Sequence, residues 1–227
     1  MQFRSLSGLI LAINVLGSTA AVLKREGPAC ASPSPTPNVL VADDDNKVQN
    51  SGFEAGLDKW TVKKSSSGGS VVVVSDSLQA SGCKAAKISF AANSKTDTNP
   101  FVSISQPMSA VPGNSILSLE LLIGRPKDTP ESAVSPKVEI SIANWKFPAF
   151  VACGEKGNSC SNVPAGHAEY NRYKFTIPPG AAITGTQKGI ADLKIVFTYP
   201  SALTKNAPVL IDNVRYGVFR DFTTLNF

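Results

Sequence analysis

Apolar and polar positions alternate with period two along most of this chain, the spacing that sends successive side chains to opposite faces of a β-strand. From Ser115 to Ile123, Leu117, Leu119, Leu121 and Ile123 share one face, and Ser118 and Glu120 share the other. Lys137 to Trp145 alternates in the same way, with Val138, Ile140 and Ile142 on the apolar side and Glu139, Ser141 and Trp145 opposite. In Asn171 to Ile177, Tyr173, Phe175 and Ile177 oppose Arg172, Lys174 and Thr176. In Asp192 to Tyr199, Leu193, Ile195, Phe197 and Tyr199 oppose Lys194, Val196 and Thr198. Val71 to Val74 is apolar on both faces and suits a central strand, and Lys84–Phe90, Phe101–Met108 and Pro208–Tyr216 bring the set to eight to ten strands. Ser66-Ser67-Gly68-Gly69, Pro112-Gly113-Asn114 and Pro178-Pro179-Gly180 supply the turns. Residues 124–136, with three prolines, and 149–168 read as long loops. No stretch has a capped amphipathic helical period, and no internal repeat is visible. Strands with one apolar face each predict an all-β, two-sheet antiparallel sandwich.

The N-terminus breaks this pattern. Arg4, the apolar run Leu9 to Leu16 and the small residues Gly17-Ser18-Thr19-Ala20-Ala21 have the layout of a signal peptide, predicted over residues 1–21. The run is too short to span a bilayer, so no membrane association is expected. Residues 22–46 read as a processed or flexible segment holding the dibasic pair Lys24-Arg25 and the Ser/Thr/Pro tract Ala31 to Pro37; residues 47–227 read as one sandwich domain, monomeric by expectation. The chain has 22 Lys and Arg against 17 Asp and Glu, but residues 1–25 hold Arg4, Lys24 and Arg25 and no acid. Without them the balance is 19 to 17, which gives no electrostatic case for nucleic acid. Four cysteines on an oxidising route read as two disulfides among three possible connectivities. Cys153 and Cys160 flank a polar turn that one bridge would staple, which leaves Cys30 for Cys83. A cysteine-based metal site has no support, since His167 is the sole histidine.

Two short segments carry a resemblance. Asn50-Ser51-Gly52-Phe53-Glu54-Ala55-Gly56-Leu57-Asp58-Lys59-Trp60 opens the domain, and Val209-Leu210-Ile211-Asp212-Asn213-Val214 closes it. Together with Ser81-Gly82-Cys83-Lys84-Ala85-Ala86-Lys87-Ile88, they resemble the CenC-like carbohydrate-binding modules of families 4, 9 and 22, over about residues 47–217. The resemblance implies a galactose-binding-like jelly roll whose opening loop and last strand lie side by side. It also implies a structural Ca²⁺ held by Glu54 and Asp212, with a backbone carbonyl near Lys84 as a further ligand. Hard oxygen donors from both chain ends would suit that ion. The run Asp43-Asp44-Asp45 reads as solvated loop, and Trp60 as core.

For function, sugar binding needs flat aromatic faces edged by hydrogen-bonding groups. Strand parity gathers Glu120, Glu139, Trp145, Tyr170 and Arg172 on one exposed sheet face as the candidate glycan site. No catalytic residues are assigned: Glu120 and Glu139 would be a carboxylate pair only on neighbouring strands, and His167 has no nucleophile-elbow sequence near it. The expectation is a secreted, non-catalytic carbohydrate-binding protein of the extracellular space or cell wall, with a fungus as the expected source and a polysaccharide or other glycan as partner. The alternatives are a secreted structural or interaction protein on the same scaffold, and a small glycan-active hydrolase.

Overall fold

A computed structural model describes residues 41–65, 68–75, 82–91, 100–109, 115–126, 129–130, 132–152, 171–178, 190–199 and 206–219. The elements are a 3-10 turn at Asp43–Asp45 and eleven strands: β1 (Thr61–Lys64), β2 (Gly69–Ser75), β3 (Lys84–Phe90), β4 (Phe101–Ser109), β5 (Leu117–Gly124), β6 (Lys137–Ile142), β7 (Trp145–Lys146), β8 (Phe150–Val151), β9 (Asn171–Ile177), β10 (Ile190–Thr198) and β11 (Val209–Val218). They form two antiparallel sheets. The first runs β1-β4-β10-β6-β7, with β8 also paired to β6, and the second runs β2-β3-β11-β5-β9. The fold is an all-β, two-sheet antiparallel jelly-roll sandwich.

The core lies between the sheets and is made of the apolar faces that the alternation marks. Ile104, Met108, Ile140, Ile142, Leu193, Ile195 and Phe197 from the first sheet meet Ile88, Leu119, Leu121, Ile123, Val209, Ile211 and Tyr216 from the second, all at most 2% exposed. Each such side chain removed from water contributes on the order of 1.5–3 kcal/mol, which fixes strand register against a one-residue slip. The Val71–Val74 run is an exception to its sequence reading. It lies in β2, the end strand of its sheet, and Val72 is 54% exposed.

The two chain ends do lie side by side. β11 pairs with β3 only through Val209, Leu210 and Ile211. Beyond a bulge between Asp212 and Arg215, the opening segment takes over that flank. Val214 N–H donates to Ser51 O at 3.1 Å, Lys47 N–H to Tyr216 O at 2.7 Å, and Tyr216 N–H to Asn46 Oδ1 at 3.1 Å. Residues 41–46, expected outside the domain, are therefore packed on it. Val41 is fully buried and its carbonyl accepts from Arg215 Nη1 at 3.1 Å, and Arg215 also pairs with Asp43. A Cβ on Gly217 would overlap the Asp45 carbonyl, so only glycine lets this segment lie so close.

Candidate functional site

The opening loop is organised by Asn50. Its side chain donates to Gly56 O and Asp58 O, both at 3.0 Å, and accepts from Ala55 N–H at 3.1 Å. Asn50 and Phe53 both have positive φ, 47° and 57°, a conformation asparagine tolerates better than most residues. The turn drives Phe53 and Trp60 into the core as a stacked pair, centroids 5.3 Å apart, and Trp60 Nε1–H donates to Asn50 O at 3.2 Å. Trp60 is core, at 7% exposed.

Glu54 projects from this loop onto the start of β3. One carboxylate oxygen, Oε1, accepts from the backbone N–H of both Cys83 and Lys84, at 2.6 and 2.9 Å. Lys84 returns the contact, its Nζ donating to Glu54 O at 2.6 Å. Gly82, at φ 80°, makes the approach possible, because a Cβ there would lie 2.7 Å from Glu54 Cδ and closer still to Oε1. Asp212 is 1% exposed, and its Oδ1 accepts from the next N–H, that of Asn213, at 2.6 Å. Asn213 sits in the β11 bulge at φ 47°. Among the described residues, no group of three or more His, Cys, Asp or Glu could hold a metal ion. As donors for a hard dication the two expected side chains fit poorly: Glu54 Oε1 is taken by two amides and Asp212 Oδ1 by the bulge, while the Lys84 ammonium, itself a cation, sits against the Glu54 carbonyl.

Cys83 is disulfide-bonded. Cys30, Cys153 and Cys160 lie outside the described residues, as do His167, Tyr170 and the signal-peptide segment, so neither predicted pairing (Cys30–Cys83, Cys153–Cys160) is placed here.

The single glycan-binding face does not form. Glu139 and Trp145 belong to the first sheet, while Glu120 and Arg172 belong to the second. Glu120 and Glu139 are not on neighbouring strands, since β5 pairs with β9 and β11, and β6 with β10, β7 and β8. Glu120 is 2% exposed and is not a surface residue. Glu139 is exposed and pairs with Lys137 at 2.8 Å. Trp145 points inward: Ala143 and Asn144 form a turn, with Ala143 at φ 51°, and Trp145 stands opposite the core residue Ile142 in the β6–β7 hairpin. Counting parity straight through the turn put it on the wrong face.

What the structure assembles instead is an aromatic seam where the end strands of the two sheets meet. Phe150 of β8 stacks on Tyr173 of β9, centroids 4.2 Å apart and planes 24° apart. Phe175 meets both Phe147, at 5.0 Å, and Phe150, at 5.8 Å. Trp145, Phe150, Tyr173 and Phe175 are all half-buried, packed against the core on one side. Arg172, also half-buried, precedes Tyr173 on the opposite face of β9. The sequence marked Tyr173 and Phe175 as inward-facing but left Phe150 in a loop, so the seam was hidden. The aromatic residues at 147, 150, 173 and 175 were its available signal.

No family model matches this chain, and no curated protein matches it. Solved structures with a similar fold include the enzymatically active domain of tailspike protein 4 of bacteriophage CBA120, at 13% identity and TM-score 0.48, covering 77% of this chain and 21% of that one. A cyclase from Fischerella sp. TAU has 15% identity and TM-score 0.49 over 81% of this chain and all of that one. The family 11 carbohydrate-binding module from Clostridium thermocellum, solved with a mixed-linked tetrasaccharide, has 14% identity and TM-score 0.44 over 78% of this chain and 98% of that one. This chain thus spans about a fifth of the tailspike domain's length. Similarity at this level accompanies an enzyme, a cyclase and a sugar-binding module alike, and carries no argument about activity.

Proposed function

We propose that this is a secreted, non-catalytic carbohydrate-binding protein of the extracellular space or cell wall, and that the aromatic seam is its glycan contact. The observation that carries the reading is the half-buried set Phe150, Tyr173 and Phe175, whose rings meet where the end strands of the two sheets approach, with Trp145 of β7 likewise half-buried. Aromatic faces bind the apolar faces of pyranose rings, and the Tyr173 hydroxyl adds a hydrogen-bonding group to the same face of β9. The separation of Glu120 from Glu139 onto different sheets supports a binding role over hydrolysis, which uses two carboxylates across one cleft. The bonded state of Cys83 supports an oxidising, secretory route. The CenC-like resemblance belongs to the same proposal.

A structural or interaction role on the same scaffold is the second reading. It is favoured by the outer face of the first sheet, where Lys63, Ser105, Lys194, Glu139 and Ser141 make a polar surface suited to solvent. Retention on insoluble chitin, glucan, cellulose and xylan separates the two. We expect retention on at least one, weakened about tenfold in Trp145→Ala and Tyr173→Ala, the loss of roughly one ring contact. No retention on any of the four would leave the second reading standing. Sequencing the N-terminus of the secreted protein tests processing, with a start at or after residue 22 expected.

A further inference from the structure

We propose that Lys84 supplies from within the chain the cation that joins the opening loop to β3, so that this clasp holds without a divalent metal. A carbonyl oxygen that binds Ca²⁺ does so at about 2.3–2.6 Å. The Glu54 carbonyl already has an ammonium 2.6 Å away, in the space such an ion would need. Two positive charges that close repel, so the lysine and a dication compete for one position.

The carboxylate is committed as well. Glu54 Oε1 is met by two backbone amides that point at it together, from Cys83 and Lys84. This is the geometry of amides closing around an anion, and it needs no metal between loop and strand. Gly82 is shaped for that guest, since any side chain there would displace the glutamate. The other expected side-chain ligand acts elsewhere: Asp212 holds the Asn213 amide that turns the β11 bulge. The residues that resemble a metal site have divided into two metal-free devices, one tying Glu54 to residues 82–84 and one shaping β11. The first lies beside the Cys83 disulfide, so a covalent tie and charge-assisted hydrogen bonds fix the same turn.

Calorimetry of the full disulfide-bonded chain tests this. The melting temperature of the wild type is expected to be the same in EDTA and in excess CaCl₂, and Tb³⁺ added to it to show no sensitised luminescence from Trp60. Lys84→Met is expected to melt about 2–4 °C lower in both solutions, the shift for roughly 1 kcal/mol in a domain of this size. Lys84→Arg, which keeps a donor cation, is expected to recover part of that loss. A calcium-dependent rise in the wild-type melting temperature, or saturable Tb³⁺ luminescence, would overturn the proposal without any variant needing to fold. So would a Lys84→Met protein as stable as the wild type.

Discussion

Strands β5 and β6 read alike in sequence and end differently. Both alternate, with Leu117, Leu119, Leu121 and Ile123 against Val138, Ile140 and Ile142, and both carry a glutamate on the other face. In β6 that other face is open: Lys137 and Glu139 are exposed. In β5 every residue is buried, Ser118 and Glu120 included. The inner faces are equivalent, so the difference comes from what lies outside. Residues 41–48 cross the second sheet near Arg215 and Gly217, which pair with Glu120 and Ser118. Period-two alternation reports which face meets the core, but not whether the opposite face is later covered.

The equivalence of the inner faces gives the largest expected effect. Tyr199, just after β10, and Tyr216, in β11, are each 1% exposed, one from either sheet. Burial raises both phenols above their ordinary range, Tyr216 to about 12. A free phenol titrates near 10. The folded state therefore holds these protons more tightly than the unfolded chain. Their contribution is fully present below about pH 10 and is lost as pH rises toward 12. Cooperative unfolding in that window is expected, with phenolate absorbance appearing together with loss of the β-sheet circular dichroism signal. Phenolate absorbance that rises near pH 10 ahead of unfolding would show that the two inner faces are not closed alike.

The covering segment is the next point at which the comparison breaks. Gly217→Val would drive a side chain into the Asp45 carbonyl and Val41. Overpacking of this kind costs up to about 3 kcal/mol, on the order of 6–12 °C in a domain of this size. The expected result is a lowered melting temperature, together with faster amide exchange at Lys47 and Tyr216, as the bonds from Lys47 N–H to Tyr216 O and from Tyr216 N–H to Asn46 Oδ1 open. An unchanged exchange pattern would mean that residues 41–48 are not what distinguishes the second sheet.

How much was legible follows the same division. Inward faces were readable at Leu119, Ile140 and Phe197, because hydrophobic burial imposes the period directly on the sequence. The loop at Asn50 and the glycine at 82 were readable as motif positions, though their jobs were not: the first feeds a hydrogen-bond hub and the second makes room for Glu54. Features that depend on a distant part of the chain were not readable. Glu120 is buried beside Arg215, which a segment about 75 residues earlier covers, and Trp145 is turned over by a two-residue hairpin that alternation alone passes through without trace. The aromatic seam needs strands from both sheets, and nothing local to Phe150 announces Tyr173 as its neighbour.

The smallest and sharpest test is a matched pair of substitutions. Glu120 and Glu139 are chemically the same residue on equivalent faces, one 2% exposed and one with a side chain 51% exposed. Glu120 is not without a partner, so exchanging one of its oxygens for an amide nitrogen places a donor where an acceptor was needed. At a buried site that mismatch costs about 1–3 kcal/mol. At Glu139 the same change removes only an exposed pair with Lys137, worth about 0.5 kcal/mol or less. Urea denaturation of Glu120→Gln and Glu139→Gln is therefore expected to lower the midpoint clearly for the first and hardly at all for the second, with equal slopes. Equal midpoints would mean that the covering segment leaves the second sheet's outer face effectively wet, and that β5 and β6 differ less than their burial indicates.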